Sequence, residues 1–176
     1  MADVRKGEVT MKGNPVNLVG PKLKPGDPAP DFKVVDDGLS QVTLKDTGSK
    51  PRLFSVVPSL DTPVCSAQTV RFAKDLEAMG DKVGAYTVSL DLPFAMKRFC
   101  TEHEVKRPAS LSDVVNHSFG EGFGVLIDGL PIPLLARAIF VVDPSNTIRY
   151  VQIVPEIADE PDYDAALAAL KSLAEA

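Results

Sequence analysis

Leu53-Phe54-Ser55-Val56-Val57-Pro58-Ser59-Leu60-Asp61-Thr62-Pro63-Val64-Cys65 is the stretch whose reading decides the fold. Residues 53–57 form a compact apolar run of strand length, consistent with a strand buried on both faces. Thr62 followed by Pro63 reads as a helix N-cap with proline at the first helical position, where its missing N–H costs nothing. From there Phe72, Leu76 and Met79 fall at i, i+4 and i+7, and Thr69 and Cys65 continue that face backwards. The spacing predicts a helix over 63–79, closed by Gly80. A buried strand feeding an amphipathic helix is the repeating unit of an α/β domain.

The pattern extends in both directions. Downstream, 83–90 reads as a strand, 92–103 as a helix with Leu92, Met96 and Phe99 on its apolar stripe, and 108–111 as a short strand. A loop rich in glycine (Gly120, Gly122, Gly124, Gly129) precedes the apolar strand 138–142. Pro144-Ser145-Asn146 is a turn, 147–154 the returning strand, and 161–174 a terminal helix rich in alanine and leucine. Upstream, 9–11 and 16–18 are brief strands flanking the turn-forming stretch 12–15. Pro21, Pro25, Pro28 and Pro30 then impose an extended path, followed by short strands at 32–35 and 42–44. The order βαβα, then ββα, predicts a mixed central sheet with helices on both faces. That is the layout of a thioredoxin-like α/β fold with an N-terminal β-hairpin. A single domain over 1–176 is expected, the hairpin and linker of 1–30 packing on it.

Composition narrows the classes. The chain has 176 residues, enough for one sizeable core, and 44% are apolar, the proportion of an ordinary globular domain. A formal charge of -5 and a pI near 5.0 argue against a protein that follows nucleic-acid phosphates. No apolar run approaches the roughly 18 residues of a membrane span. The first 13 residues carry no apolar core of a secretory signal. With only 2 cysteines a disulfide framework is excluded. A reducing, cytoplasmic setting is expected, with the cysteines catalytic, metal-binding or simply buried.

Cys65 lies in the first turn of its helix. Unpaired backbone N–H groups and the positive end of the dipole favour an anion there, and the thiolate is the reactive form of cysteine. Packing as a small buried hydrophobe is the competing reading. Pro58-x-x-x-Thr62-x-x-Cys65 resembles the peroxiredoxin active-site motif. The full string 58–65 is more narrowly similar to the bacterial thiol peroxidase branch of that superfamily. The similarity continues in Gly13-Asn14-Pro15-Val16, Val70-Arg71-Phe72, Asp91-Leu92-Pro93-Phe94-Ala95, Arg98-Phe99-Cys100, Ala136-Arg137-Ala138 and Glu160-Pro161-Asp162-Tyr163, in order along nearly the whole chain. The resemblance implies a thioredoxin-dependent peroxidase acting on hydrogen peroxide and alkyl hydroperoxides. In it, Cys65 is the peroxidatic cysteine, Thr62 hydrogen-bonds thiolate and peroxide, and Pro58 limits water. Arg137 holds the thiolate and polarises the O–O bond, and Cys100 resolves the oxidised Cys65 within the same chain. A homodimer and re-reduction by thioredoxin are implied in the same way.

Residue chemistry alone leaves alternatives open. Arg137 opens an apolar strand, where a guanidinium is costly unless paired. Its partner is either the thiolate, a carboxylate or water. Cys100 is either the resolving thiol, which requires helix ends to unwind before two helix-borne cysteines can bond, or core packing beside Phe99. Cys65, Cys100, His103 and His117 offer a Cys₂His₂ set with Cys100-x-x-His103 as a plausible half site, but the other spacings match no zinc-finger pattern. A dithiol oxidoreductase lacks its Cys-x-x-Cys, and a non-catalytic redox-sensing or interaction module remains the alternative from another class. No cofactor is needed, because sulfur carries the electrons, and the glycine-rich loop lacks phosphate-binding spacing. The apolar segment 130–135 before Arg137, together with Phe94, rims an alkyl-binding mouth or else packs into the core. Glu156, Asp159, Glu160, Asp162 and Asp164 read as a solvated loop and helix start.

Overall fold

The computed structural model describes residues 2–176. The strand read at 53–57 is β5 (Arg52–Val56), and alternation along it shows why it must be central. Phe54 and Val56 point to one core while Leu53 points to the other. β9 (Ala138–Val142) beside it divides likewise, Phe140 and Val142 against Ile139 and Val141. Around this pair a seven-stranded sheet runs β10-β9-β5-β6-β7-β3-β4. It is completed by β10 (Ile148–Ile153), β6 (Gly84–Ser89), β7 (Ala109–Ser112), β3 (Lys33–Asp36) and β4 (Gln41–Thr43). β5, β6 and β7 are parallel and the other pairings antiparallel, so the sheet is mixed as expected.

The parallel strands are joined by α1 (Pro63–Leu76) and α2 (Pro93–Glu102). α1 also packs with the terminal helix α4 (Tyr163–Ala174) through Phe72, Leu76, Tyr163, Ala166 and Leu170. Asp162 caps α4, its side chain accepting from the Ala165 N–H at 3.0 Å. α1 ends three residues before the expected 79, and a 3₁₀ segment (Glu77–Lys82) containing Gly80 at φ 53° takes its place.

Two features depart from the sequence reading. The N-terminal turn contracts to Lys12-Gly13, both at positive φ (51° and 79°), between β1 (Val4–Met11) and β2 (Asn14–Val19). This is the geometry of a two-residue hairpin turn, and Pro15 is accepted inside β2 because the strand on its other side pairs only with residues 17–19. That strand, β8 (Leu126–Asp128), and the short helix α3 (Ser118–Gly122) are the second departure, since the glycine-rich stretch reads as loop. Its glycines permit contact rather than disorder. A Cβ on Gly20 would lie 1.9 Å from the Glu121 carbonyl oxygen, and one on Gly124 1.9 Å from that of Pro21. The linker and the end of α3 thus approach backbone to backbone.

α3 is held by Asp113, whose buried carboxylate accepts from Phe119 N–H at 3.0 Å and Gly120 N–H at 2.7 Å. Burial raises its carboxyl from 3.8 to about 6. The protonated form is therefore favoured by folding: the contribution is complete below pH 3.8 and is lost as pH rises through about 6. Urea unfolding of wild type and Asp113→Asn, compared between pH 4 and 7, should show wild type gaining relative stability on acidification, by up to about 3 kcal/mol. A difference independent of pH would contradict this account. Among the described residues no helix is long and apolar enough to cross a membrane.

Candidate active site

Register brings the site together. Val56 lies opposite Ala138, so Arg137 emerges at the same sheet end as the loop leading from β5 to α1. Thr62 is the N-cap in extended conformation (φ -107°, ψ 147°), Pro63 follows at the first helical position, and Cys65 is third. Cys65 is fully buried, and its sulfur accepts from Arg137 Nη2 at 3.3 Å. The other two guanidinium nitrogens are engaged too, Nη1 donating to Gln68 Oε1 at 2.9 Å and Nε to the Ile157 carbonyl at 2.8 Å. Gln68 is fixed in turn by Ser55 Oγ at 2.7 Å. Arg137 is 2% exposed and reaches neither solvent nor a carboxylate. Its charge can offset negative charge on the sulfur or on an oxygen being expelled beside it.

Pro58, Thr62 and Arg137 line one cavity of about 480 Å³, with Val64, Met11, Ile132, Leu134 and Ile157 supplying most of an apolar lining. The segment before Arg137 thus faces the cavity through Ile132 and Leu134. Phe94 does not: it is 64% exposed at the start of α2. Thr62 also differs in detail from its expected role. Its hydroxyl donates to the Ser59 carbonyl at 2.9 Å, neither capping α1 nor touching the sulfur. Its lone pairs stay free to accept a proton from a molecule in the cavity.

Cys100 sits in the last turn of α2, partly buried, 3.4 Å from Ser110 Oγ. It belongs to the same apolar cluster as Cys65, with Met96 and Phe99. Both cysteines are free. The two cysteine-bearing segments are joined by Asp91, which accepts from Ser59 Oγ at 2.7 Å and Leu60 N–H at 2.8 Å just before α2 begins. An exposed Asp61–Arg98 pair at 3.3 Å spans the same gap. His103 stacks on Phe99 at 4.1 Å between centroids, and among the described residues no three His, Cys, Asp or Glu side chains converge on a metal position.

Sequence reasoning missed Gln68, the supporting role of Asp91 and the Ile157 carbonyl. Gln68 carried a signal: it is a polar residue three positions after Cys65, on the helix face that otherwise buries Cys65, Thr69 and Phe72. The carbonyl carried none, because any residue could supply it.

Residues 24–167 match the family described as Redoxin. The chain belongs to that redoxin family. Its similarity within the family runs to proteins named thiol peroxidase. The one from Staphylococcus aureus (strain COL) is 48% identical over 166 residues, covering 94% of this chain and 99% of the relative. The one from Streptococcus pneumoniae (strain ATCC BAA-255 / R6) is 47% identical over 165 residues, covering 94% and 99%. Among solved structures, a peroxiredoxin-like protein from Aquifex aeolicus superposes with a TM-score of 0.88 at 41% identity, over 96% of this chain and 99% of that one. A thiol peroxidase from Chromobacterium violaceum, at 24% identity and a TM-score of 0.83 over 98% of each chain, supports the redoxin fold alone.

Proposed function

We propose that this redoxin reduces hydroperoxides with the Cys65 thiolate, the whole chain 1–176 acting as one domain. The sulfur attacks the terminal peroxide oxygen, the O–O bond breaks, and the sulfur is oxidised by two electrons to a sulfenic acid. The departing oxygen leaves as alcohol or water after taking a proton. Arg137 stabilises charge on sulfur and leaving oxygen, Thr62 accepts from the peroxide O–H, and Pro58 restricts water. Cys100 then condenses with the sulfenic acid, giving a Cys65–Cys100 disulfide and one water. A dithiol of the thioredoxin type reduces it, becoming a disulfide itself. No cofactor takes part.

The observation that carries this reading is the buried Arg137–Cys65 contact, with Arg137 also lining an apolar cavity beside Pro58 and Thr62 while Cys65 lies buried behind it. An alkyl hydroperoxide gains there by burying its tail. The reading is tested by stopped-flow mixing of the reduced protein with cumene hydroperoxide and with hydrogen peroxide. Oxidation far faster than that of a free thiol is expected, with the alkyl peroxide preferred. A rate no faster than a free thiol would instead favour a non-catalytic module. A homodimer and a cytoplasmic setting belong to the same reading. The exposed apolar Leu92, Phe94 and Val115 support the dimer, and a content of only 2 cysteines, too few for a disulfide scaffold, supports a reducing compartment.

A further inference from the structure

Glu156 reads in sequence as one of several solvated acidic residues, yet it is half-buried and its carboxylate is fully engaged. Oε2 accepts from Thr10 Oγ1 at 2.6 Å and Gly13 N–H at 3.0 Å, and Oε1 from Lys12 N–H at 2.9 Å and Ala158 N–H at 3.2 Å. Lys12 and Gly13 are the two central residues of the β1–β2 turn. One side chain from the loop after β10 therefore fastens the tip of a hairpin more than 140 positions away in sequence. Backbone bonds reinforce the junction, Thr10 N–H to the Pro155 carbonyl at 2.7 Å and Ile157 N–H to the Thr10 carbonyl at 2.9 Å. The Thr10 hydroxyl, with the backbone N–H groups behind it, holds the Glu156 carboxyl down at about 2.

Both ends of this junction meet the cavity. On the hairpin side Met11 and Lys12 form part of its lining, and on the loop side Ile157 and Ala158 do. Ile157, next to Glu156, also supplies the carbonyl that receives Arg137 Nε. We propose that Glu156 is a positioning residue, holding Arg137 through the Ile157 carbonyl and holding the hairpin tip in place as part of the cavity wall. The proposal rests on the reading of Cys65 and Arg137 as the peroxide site. Glu156 touches no reacting atom. It acts through the Ile157 carbonyl on the guanidinium and through the turn on the cavity wall.

These two routes separate by substrate. Displacing Arg137 slows both peroxides, whereas loosening the wall penalises only a substrate with a body to bury. In Glu156→Ala the efficiency should fall for both, with the cumene hydroperoxide to hydrogen peroxide ratio dropping about tenfold, the effect of losing a small part of an apolar pocket, and the KM for cumene hydroperoxide rising. Glu156→Gln keeps one acceptor oxygen and should fall between. Met11→Ala shortens the wall while leaving the Glu156 bonds in place, and should lower the same ratio. It carries the test if Glu156→Ala does not fold. The assay uses the full chain with a saturating dithiol, alongside thermal melts by circular dichroism. A merely structural Glu156 would lower the melting temperature and depress both substrates by one factor. An unchanged ratio in Met11→Ala and in the folded Glu156 variants overturns the proposal. A wild type no faster than a free thiol with either peroxide removes the underlying site reading along with it, whereas a fast wild type with variants of unchanged ratio removes this proposal alone.

Discussion

Arg137→Gln is expected to slow oxidation of Cys65 by hydroperoxide by about 10²–10³, the effect of removing one preorganised donor from a developing oxyanion. The expectation comes from how the guanidinium is held. Three donors go to three fixed acceptors, Cys65 Sγ, Gln68 Oε1 and the Ile157 carbonyl, so the group is already oriented before a peroxide arrives. A glutamine is shorter, uncharged and cannot reach all three. Arg137→Lys should not restore the rate, because an ammonium on a flexible stem cannot span diverging acceptors. Both substitutions also leave a buried oxygen without its donor, a destabilisation of about 1–3 kcal/mol for each acceptor orphaned. Stopped-flow oxidation beside a thermal melt separates the two effects. A folded Arg137→Gln protein that reacts within threefold of wild type would remove Arg137 from the chemistry.

The same arginine illustrates what sequence could and could not reveal. A guanidinium opening the apolar strand 138–142 demands a partner, and that demand was legible from residue types alone. Which partner was not, because it depends on the register that sets Val56 opposite Ala138. Cys65 in the first turn of α1 was likewise readable from Thr62-Pro63, a local signal. The helices and strands around the site lay close to where their periodicity put them. By contrast the two-residue turn at Lys12-Gly13, the strand β8 and the engagement of Glu156 are all long-range outcomes. β8 exists because β2 offers it an edge, and Glu156 leaves the solvated class because the hairpin folds back over it. Thr62 shows a finer limit: its backbone caps α1 as expected, but its hydroxyl turns to Ser59. Composition fixes which groups are present, and only the packed neighbours decide which way each one bonds.

Cys100→Ser should leave a first oxidation of Cys65 while reducing thioredoxin-supported turnover on the order of 10²-fold or more, the scale at which an intramolecular partner is replaced by an external one. With no neighbouring thiol the sulfenic acid persists, so mass spectrometry after excess peroxide should find sulfinic acid on Cys65 in the variant and a Cys65–Cys100 disulfide in wild type. The starting structure makes the second step demanding. Cys65 Sγ is held by Arg137 and Cys100 Sγ rests on Ser110, so each sulfur must leave a present neighbour. Each cysteine also lies in a terminal turn, Cys65 in the first of α1 and Cys100 in the last of α2, where local opening costs least. Opening the Cys65 side means releasing the Asp91 bonds to Ser59 and Leu60, a cost of about 1.5–3 kcal/mol for each bond to a charged carboxylate. That is small enough to cross during turnover and large enough to hold the site closed until the sulfur is oxidised. Reduced and oxidised structures that overlay without backbone change around both cysteines would rule the rearrangement out. Undiminished turnover in Cys100→Ser would rule out Cys100 itself.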